Sequence, residues 1–215
     1  MQLGPLYGPA MDQIARPGLD GTRPRPRALA VSLPNILTYG RIAAVPALVA
    51  VLYFLDGDRA RLSAFALFVV AGITDWLDGY LARIWELQSD LGRMLDPIAD
   101  KLLVGAVLMM LVYDGTLRGP AIFAAIIILC REILVSGLRE FLAELHVKIH
   151  VSRLAKWKTA LQMIALGVLL AGPAAEKLMP GIVQVGVGLL WIAALLTLWT
   201  GYDYLKAGVA RAIED

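Results

Sequence analysis

Apolar residues fall into six long segments of this chain, separated by short polar stretches. The segments cover residues 36–55, 62–82, 94–113, 119–142, 154–172 and 181–202. Each is close to the ~20 residues that an α-helix needs to cross a bilayer. None shows the alternation of a barrel strand, and only helices or closed barrels satisfy the backbone in lipid. The pattern therefore predicts an all-α integral membrane protein, a bundle of six transmembrane helices.

The first 30 residues differ from the rest of the chain. They contain five prolines and no apolar run long enough for the core of a signal peptide. We therefore divide the chain into a flexible tail rich in proline and arginine, residues 1–30, and a six-helix transmembrane domain, residues 31–215. The arginines of the tail either contact anionic lipid head groups or form a solvated basic run. Between the apolar segments, turn residues mark breaks at 56–58, 114–115 and 172–173.

Composition and charge distribution fit a membrane protein with both ends on one side. Hydrophobic residues make up 59% of the chain and charged residues 18%, against about 45–50% and about 25% in soluble domains. Sixteen Lys and Arg residues lie on the side that holds both termini and four on the other, which predicts that both termini are cytoplasmic. A net charge of +2 gives no argument for nucleic-acid binding. The single cysteine excludes a disulfide framework within the chain.

Acidic residues crowd into the cytoplasmic halves of segments two and three. On segment two, an arc of about 100° holds Asp75, Asp78, Gly79 and Ala82, with Arg83 at its margin. On segment three, an i, i+4, i+8 stripe holds Gly92, Asp96 and Asp100. A short link joins the segments, so we expect the two stripes to face each other in an antiparallel pair. Because charges at this depth in a membrane are costly, they indicate a functional site.

Four aspartates brought this close repel one another unless cations neutralise them or some stay protonated. Oxygen ligands favour hard divalent ions, and no set of Cys and His residues suggests zinc. The acidic residues therefore predict a site for two divalent metal ions, Mg²⁺ or Mn²⁺, as used in phosphoryl transfer. Gly79 would let a nucleotide approach the helix, and Arg83 would pair with phosphate. The alternative is an ion-pair cluster with Arg83, Arg93 and Lys101 that only holds two helices together.

The run from residue 75 to residue 100 resembles the signature of the CDP-alcohol phosphotransferase family. Its eight fixed positions are all present within twenty-six residues: Asp75, Asp78, Gly79, Ala82, Arg83, Gly92, Asp96 and Asp100. The resemblance implies a six-helix fold, a homodimer and two bound metals. It implies Asp75, Asp78 and Asp96 as metal ligands, and Asp100 as both a ligand and the catalytic base. The nucleotide contacts that it implies are Asn35, Asp75, Asp78, Gly79, Ala82, Arg83 and Ser89.

Further blocks, at residues 34–41, 96–103, 131–140 and 156–163, resemble the bacterial phosphatidylglycerophosphate synthases within that family. This implies transfer of a phosphatidyl group from CDP-diacylglycerol to glycerol-3-phosphate in a bacterial inner membrane, with the active site facing the cytoplasm. Inositol phosphate, serine or phosphatidylglycerol would be alternative acceptors for the same chemistry. From a different class, a carboxylate-lined ion or proton transporter would also bury acids, but transport does not require Gly79, Ala82 and Arg83 at their spacings.

Polar faces on segments four and five suggest where a phosphorylated acceptor binds. Segment four carries Arg131, Glu132, Ser136 and Arg139 within an arc of about 140°. Segment five carries Lys158, Thr159 and Gln162 on one face, with Lys156 beside it. We predict an acceptor-phosphate pocket formed by Arg131, Ser136, Arg139, Lys156 and Lys158. The alternative is that these bases are only positive-inside anchors.

Overall fold

The computed structural model describes residues 33–84, 90–144 and 153–214, and these form six helices. The helices are α1 (Leu33–Phe54), α2 (Gly57–Ile84), α3 (Asp90–Tyr113), α4 (Ala121–Glu144), α5 (Arg153–Ala175) and α6 (Ile182–Glu214). The described ranges contain no strand, so the prediction of an all-α chain is confirmed. The predicted tail, residues 1–30, lies outside the described residues.

One predicted break is wrong, because α5 continues through Gly172 and Pro173 to Ala175. A Cβ atom at Gly172 would lie 2.9 Å from Cγ2 of Val183, so this glycine permits close packing of α5 on α6. The turn comes later, where Gly181 has a φ of 91°, a conformation that favours glycine. There the carboxylate of Glu176 accepts hydrogen bonds from the backbone N–H groups of Gly181 (2.7 Å) and Val183 (3.1 Å) and caps α6.

Five of the described helices, α1, α2, α4, α5 and α6, are long and apolar enough to cross a membrane. Helix α3 is not among them, since its first half carries Asp96, Asp100 and Lys101. Buried leucines and alanines from all six helices form one core. Large apolar side chains also cover the outside of the bundle, among them Phe54, Trp76, Met109, Phe123 and Trp199. An apolar exterior of this extent is typical of a surface in contact with lipid.

Helix α1 packs against both α2 and α3, whereas α2 and α3 make few direct contacts in the described part of the chain. The expected antiparallel pair of α2 and α3 is therefore wrong in its packing, although their acidic stripes do meet. The physical reason is that α1 lies between them and supplies a cation, Arg41, to both stripes. The rest of the bundle is built by α6 packing on α4 and α5, and by α5 packing on α2.

The functional residues gather at one end of the bundle, where α1, α3 and α5 begin and α2, α4 and α6 end. We call this the polar end. At the opposite end of the bundle, separate ion pairs connect neighbouring segments. Arg61 at the start of α2 lies 2.9 Å from Asp114, just after α3, and Lys177 pairs with Asp58.

Candidate active site

Three of the four signature aspartates contact one guanidinium group, that of Arg41 in α1. Arg41 is buried, with an exposed fraction of 1%. Its Nη1 lies 2.5 Å from Oδ1 of Asp75 and 2.8 Å from Oδ1 of Asp100. Its Nη2 donates a hydrogen bond to Oδ2 of Asp78. One cation thus joins the acidic stripes of α2 and α3.

The fourth aspartate, Asp96, is held by the same helix. Thr38 of α1 donates a hydrogen bond of 2.6 Å from its hydroxyl to Oδ1 of Asp96. Asn35, Thr38 and Arg41 are spaced three residues apart and are all buried, so they lie on one face of α1. That face packs into the space between α2 and α3. Asn35, predicted near the nucleotide, is therefore on the same side of α1 as the acidic cluster.

The four carboxylates differ in exposure. The side chain of Asp78 is 4% exposed, whereas those of Asp75 and Asp100 are 43% and 50% exposed. Asp75 and Asp100 line a cavity and present oxygen atoms to it. Next to them, a Cβ atom built on Gly79 would meet no atom within 4 Å. The surface around the signature is therefore open to a ligand at Asp75, Gly79 and Asp100.

The donor set fits hard divalent ions, because it consists of carboxylate oxygens from four aspartates. Asp75 and Asp100 share a single nitrogen of Arg41, so these two carboxylates come close enough to share an ion. Within the described ranges, no three acidic, His or Cys side chains surround one point in a metal-binding arrangement. Arg41 occupies the centre of the cluster instead. The metals therefore stay a prediction, and their binding requires the guanidinium to give up part of its contacts.

The cavity beside Asp75 and Asp100 has a volume of about 1330 Å³ and reaches across to α4 and α5. Four of the five predicted acceptor residues line it: Arg131, Ser136, Arg139 and Lys158. Its deeper walls are apolar side chains of α2, α3 and α5. Acidic and basic groups predicted from separate segments thus face one continuous space.

A buried network holds the basic side of this cavity. Lys158, with an exposed fraction of 3%, donates to Oε1 of Glu132, and Nη1 of Arg131 lies 3.3 Å from the same oxygen. Arg131 is also held by α6, because its Nε donates to the carbonyl oxygen of Thr197 (3.2 Å) and its Nη2 to the hydroxyl of Thr200 (3.1 Å). These contacts fix the guanidinium against the cavity wall.

Sequence reasoning missed two parts of this site. The sequence predicts no site role for Arg41, which enters only the count of cytoplasmic basic residues and the resembling block 34–41. It is nevertheless the one charged residue of the first apolar segment, which is itself a signal for function. Thr197 and Thr200 lie in the long apolar stretch of α6, and nothing in its pattern marks them.

Other predicted site residues are described only in part. Ser89 lies outside the described residues. Ala82 and Arg83 belong to the last turns of α2, and Lys156 belongs to the first turn of α5. The side chains of these three residues lie outside the described part of the structure.

The fold and the site together define a helical bundle with the apolar exterior of a membrane protein and, at one end, a large cavity lined by both acidic and basic residues. The family model of CDP-alcohol phosphatidyltransferases matches residues 31–199. This chain belongs to the CDP-alcohol phosphatidyltransferase family.

Curated relatives cover most of the chain. A CDP-diacylglycerol–glycerol-3-phosphate 3-phosphatidyltransferase of Rickettsia bellii is 49% identical over 176 residues, which is 82% of this chain and 94% of the relative. The second such enzyme of Arabidopsis thaliana is 40% identical over 216 residues, covering 93% of this chain and 91% of the relative. A cardiolipin synthase (CMP-forming) of rice is 39% identical over 215 residues, covering 94% of this chain and 64% of the relative.

Proposed function

We propose that this protein transfers the phosphatidyl group of CDP-diacylglycerol to sn-glycerol-3-phosphate, giving phosphatidylglycerophosphate and CMP. The observation that carries the proposal is the single cavity, which joins Asp75 and Asp100 of the family signature to a wall containing Arg131, Arg139 and Lys158. The activity for which the Rickettsia and Arabidopsis relatives are named agrees with it. The product belongs to phospholipid biosynthesis.

The donor's pyrophosphate would bind at the acidic cluster. Asp75, Asp78, Asp96 and Asp100 would hold two divalent ions, Mg²⁺ or Mn²⁺, which when bound neutralise the pyrophosphate and stabilise the charge on the departing phosphate. The open surface at Gly79 leaves room for the nucleotide beside α2. Asn35, Arg83 and Ser89 would complete the CMP contacts, as the family resemblance implies.

Asp100 would act as the base, as the family resemblance implies, because its half-exposed side chain lines the cavity in which the acceptor would bind. It takes the proton from the primary hydroxyl of glycerol-3-phosphate, and that oxygen attacks the phosphorus bearing the diacylglycerol group. A new P–O bond forms while the bond to the CMP phosphate breaks, and CMP leaves with the electron pair. This direct displacement needs no covalent enzyme intermediate. Arg131, Arg139 and Lys158, with Ser136 and Lys156, would bind the acceptor phosphate.

The same proposal places six spans in a bacterial inner membrane, with both termini and the polar end facing the cytoplasm. Its support is the excess of Lys and Arg on that side and the water-soluble acceptor, which has to enter from the cytoplasm. Helix α3, the one described helix without a stretch apolar enough to span on its own, would cross the membrane beside α1, which pairs with its acids. A homodimer is expected from the family resemblance.

The test is an acceptor panel scored by release of CMP from CDP-diacylglycerol in detergent micelles. We expect release with glycerol-3-phosphate and little with serine or inositol phosphate. Phosphatidylglycerol is the most informative alternative acceptor, since the rice relative is named as a cardiolipin synthase. Release with phosphatidylglycerol but not with glycerol-3-phosphate would reassign the acceptor. Ion or proton flux in liposomes without any CMP release would show that the protein is a transporter and not an enzyme.

A further inference from the structure

Gln162 of α5 has a buried amide oxygen without a hydrogen-bond partner. The residue is 3% exposed, and its Oε1 accepts no hydrogen bond from the described residues. It also lines the large cavity. Buried polar atoms are nearly always satisfied, because leaving one without a partner forfeits its hydration. An unpaired acceptor on a cavity wall therefore indicates that a ligand supplies the donor.

The position of Gln162 relative to the basic wall fits one kind of ligand. Gln162 lies one helical turn beyond Lys158 on α5, about 6 Å farther from the polar end. Lys158 and Arg139 form the basic layer of the cavity, because each lies five residues from the polar end of its helix, where α5 begins at Arg153 and α4 ends at Glu144. One turn is close to the length of a three-carbon chain. A small molecule with its phosphate at the basic layer would thus bring its other end to the level of Gln162.

Asp100 lies at a matching level on the other side of the cavity. Asp100 and Gln162 sit at nearly the same distance from the starts of their helices, which begin at Asp90 and Arg153 at the polar end. Both line the same cavity. Two residues that carry hydrogen-bond acceptors therefore lie beside the cavity at this depth. A ligand with two neighbouring hydroxyl groups can donate one to each.

We propose that Gln162 binds the hydroxyl group of the acceptor that does not react, the secondary hydroxyl of a three-carbon polyol phosphate. The inference rests on the proposed function and deepens it. Asp100 receives the proton of the primary hydroxyl. The amide oxygen of Gln162 accepts a hydrogen bond from the neighbouring secondary hydroxyl and so orients the acceptor molecule. Gln162 thereby selects acceptors that carry a hydroxyl at the middle carbon, because without it a buried acceptor stays unpaired.

The test compares glycerol-3-phosphate with 3-hydroxypropyl phosphate, which lacks only the secondary hydroxyl. The wild-type protein should prefer glycerol-3-phosphate by about 10-fold or more in kcat/KM. Gln162→Leu keeps most of the volume and removes the accepting oxygen. It should lower kcat/KM for glycerol-3-phosphate by about 10-fold, mainly through KM, and leave 3-hydroxypropyl phosphate unchanged, so that the preference disappears. Gln184→Leu, at an exposed glutamine near the opposite end, is the matched control and should change neither value.

A purely structural role for Gln162 would reduce the use of both acceptors equally, and that result overturns the inference. An unchanged preference in Gln162→Leu overturns it as well. Gln162→Met, which also lacks an amide, takes its place if the leucine variant does not fold. Failure of the proposed function is recognised separately, because the wild-type protein itself would then release no CMP with glycerol-3-phosphate.

Discussion

Replacing Arg41 by glutamine should destabilise the metal-free protein strongly and the metal-loaded protein much less. Arg41 is the cation shared by Asp75, Asp78 and Asp100. In the absence of metal its loss leaves those carboxylates facing one another without a counter-ion. When Mg²⁺ or Mn²⁺ occupies the cluster, the ions take over that neutralisation. Metal should therefore rescue the variant.

The magnitude follows from how deeply each contact is buried. Both side chains of the Arg41–Asp78 pair are buried, with exposed fractions of 0% and 4%. Breaking such a buried pair costs about 3–5 kcal/mol. Asp75 and Asp100 are roughly half exposed, so solvent screens their contacts and each adds at most about 1 kcal/mol. A loss of 3 kcal/mol or more corresponds to a fall in Tm of about 6 °C or more.

The assay is thermal unfolding of purified protein in detergent, with chelator and with Mg²⁺. The matched control is Arg61→Gln, which removes a partly buried ion pair with Asp114 at the opposite end. Its loss of Tm should be the same with and without metal. If Arg41→Gln also loses the same amount in both conditions, the ions do not replace the guanidinium, and the assignment of the cluster as a metal site is refuted.

Three further predictions concern the reaction. Chelation should abolish CMP release, and Mg²⁺ or Mn²⁺ but not Ca²⁺ should restore it, because Ca²⁺ takes longer, looser coordination; full activity in excess chelator would contradict this. Asp100→Asn should bind CDP-diacylglycerol but lose turnover by about 10²-fold, whereas Asp78→Asn should lose metal and donor binding together; equal loss of donor binding in both would make Asp100 only a ligand. Arg139→Ala should raise the KM for glycerol-3-phosphate and leave the KM for the donor unchanged, because about 1.5–3 kcal/mol of acceptor binding free energy is lost. A fall in donor binding instead would place the acceptor pocket elsewhere.

The number and type of the helices could be read from the sequence because apolar length alone decides them. The acidic stripes could be read as well, since four charges in apolar segments stand out against their surroundings. The packing of α1 between α2 and α3 could not be predicted, because the short link between α2 and α3 favours direct packing of these two helices on each other. The resemblance places Asn35 of α1 near the nucleotide, but only the contacts of Arg41 and Thr38 show that α1 joins the two acidic stripes.

The acceptor side shows a different limit. The spacing of Arg131 and Lys158 predicted polar faces, but not that Glu132 holds both side chains together. Long flexible side chains on different helices leave many pairings open to sequence reasoning. The role of Thr200 is hidden for another reason. A hydroxyl in an apolar helix is common, and only its bond to Arg131 distinguishes it.

The position of Arg41 also bears on how the chain enters the membrane. An aspartate near the centre of an inserting helix costs about 2.5–3.5 kcal/mol, and α3 carries Asp96 and Asp100 in its first half, in addition to Asp90 at its start. Thr38 and Arg41, the partners of Asp96 and Asp100, precede α3 in the chain. They are therefore already synthesised when α3 leaves the ribosome. The first three helices then form a unit in which the buried Arg41 offsets part of the acidic charge. We expect integration of α3 to depend on α1, and glycosylation mapping of α3 in an Arg41→Leu chain measures that dependence.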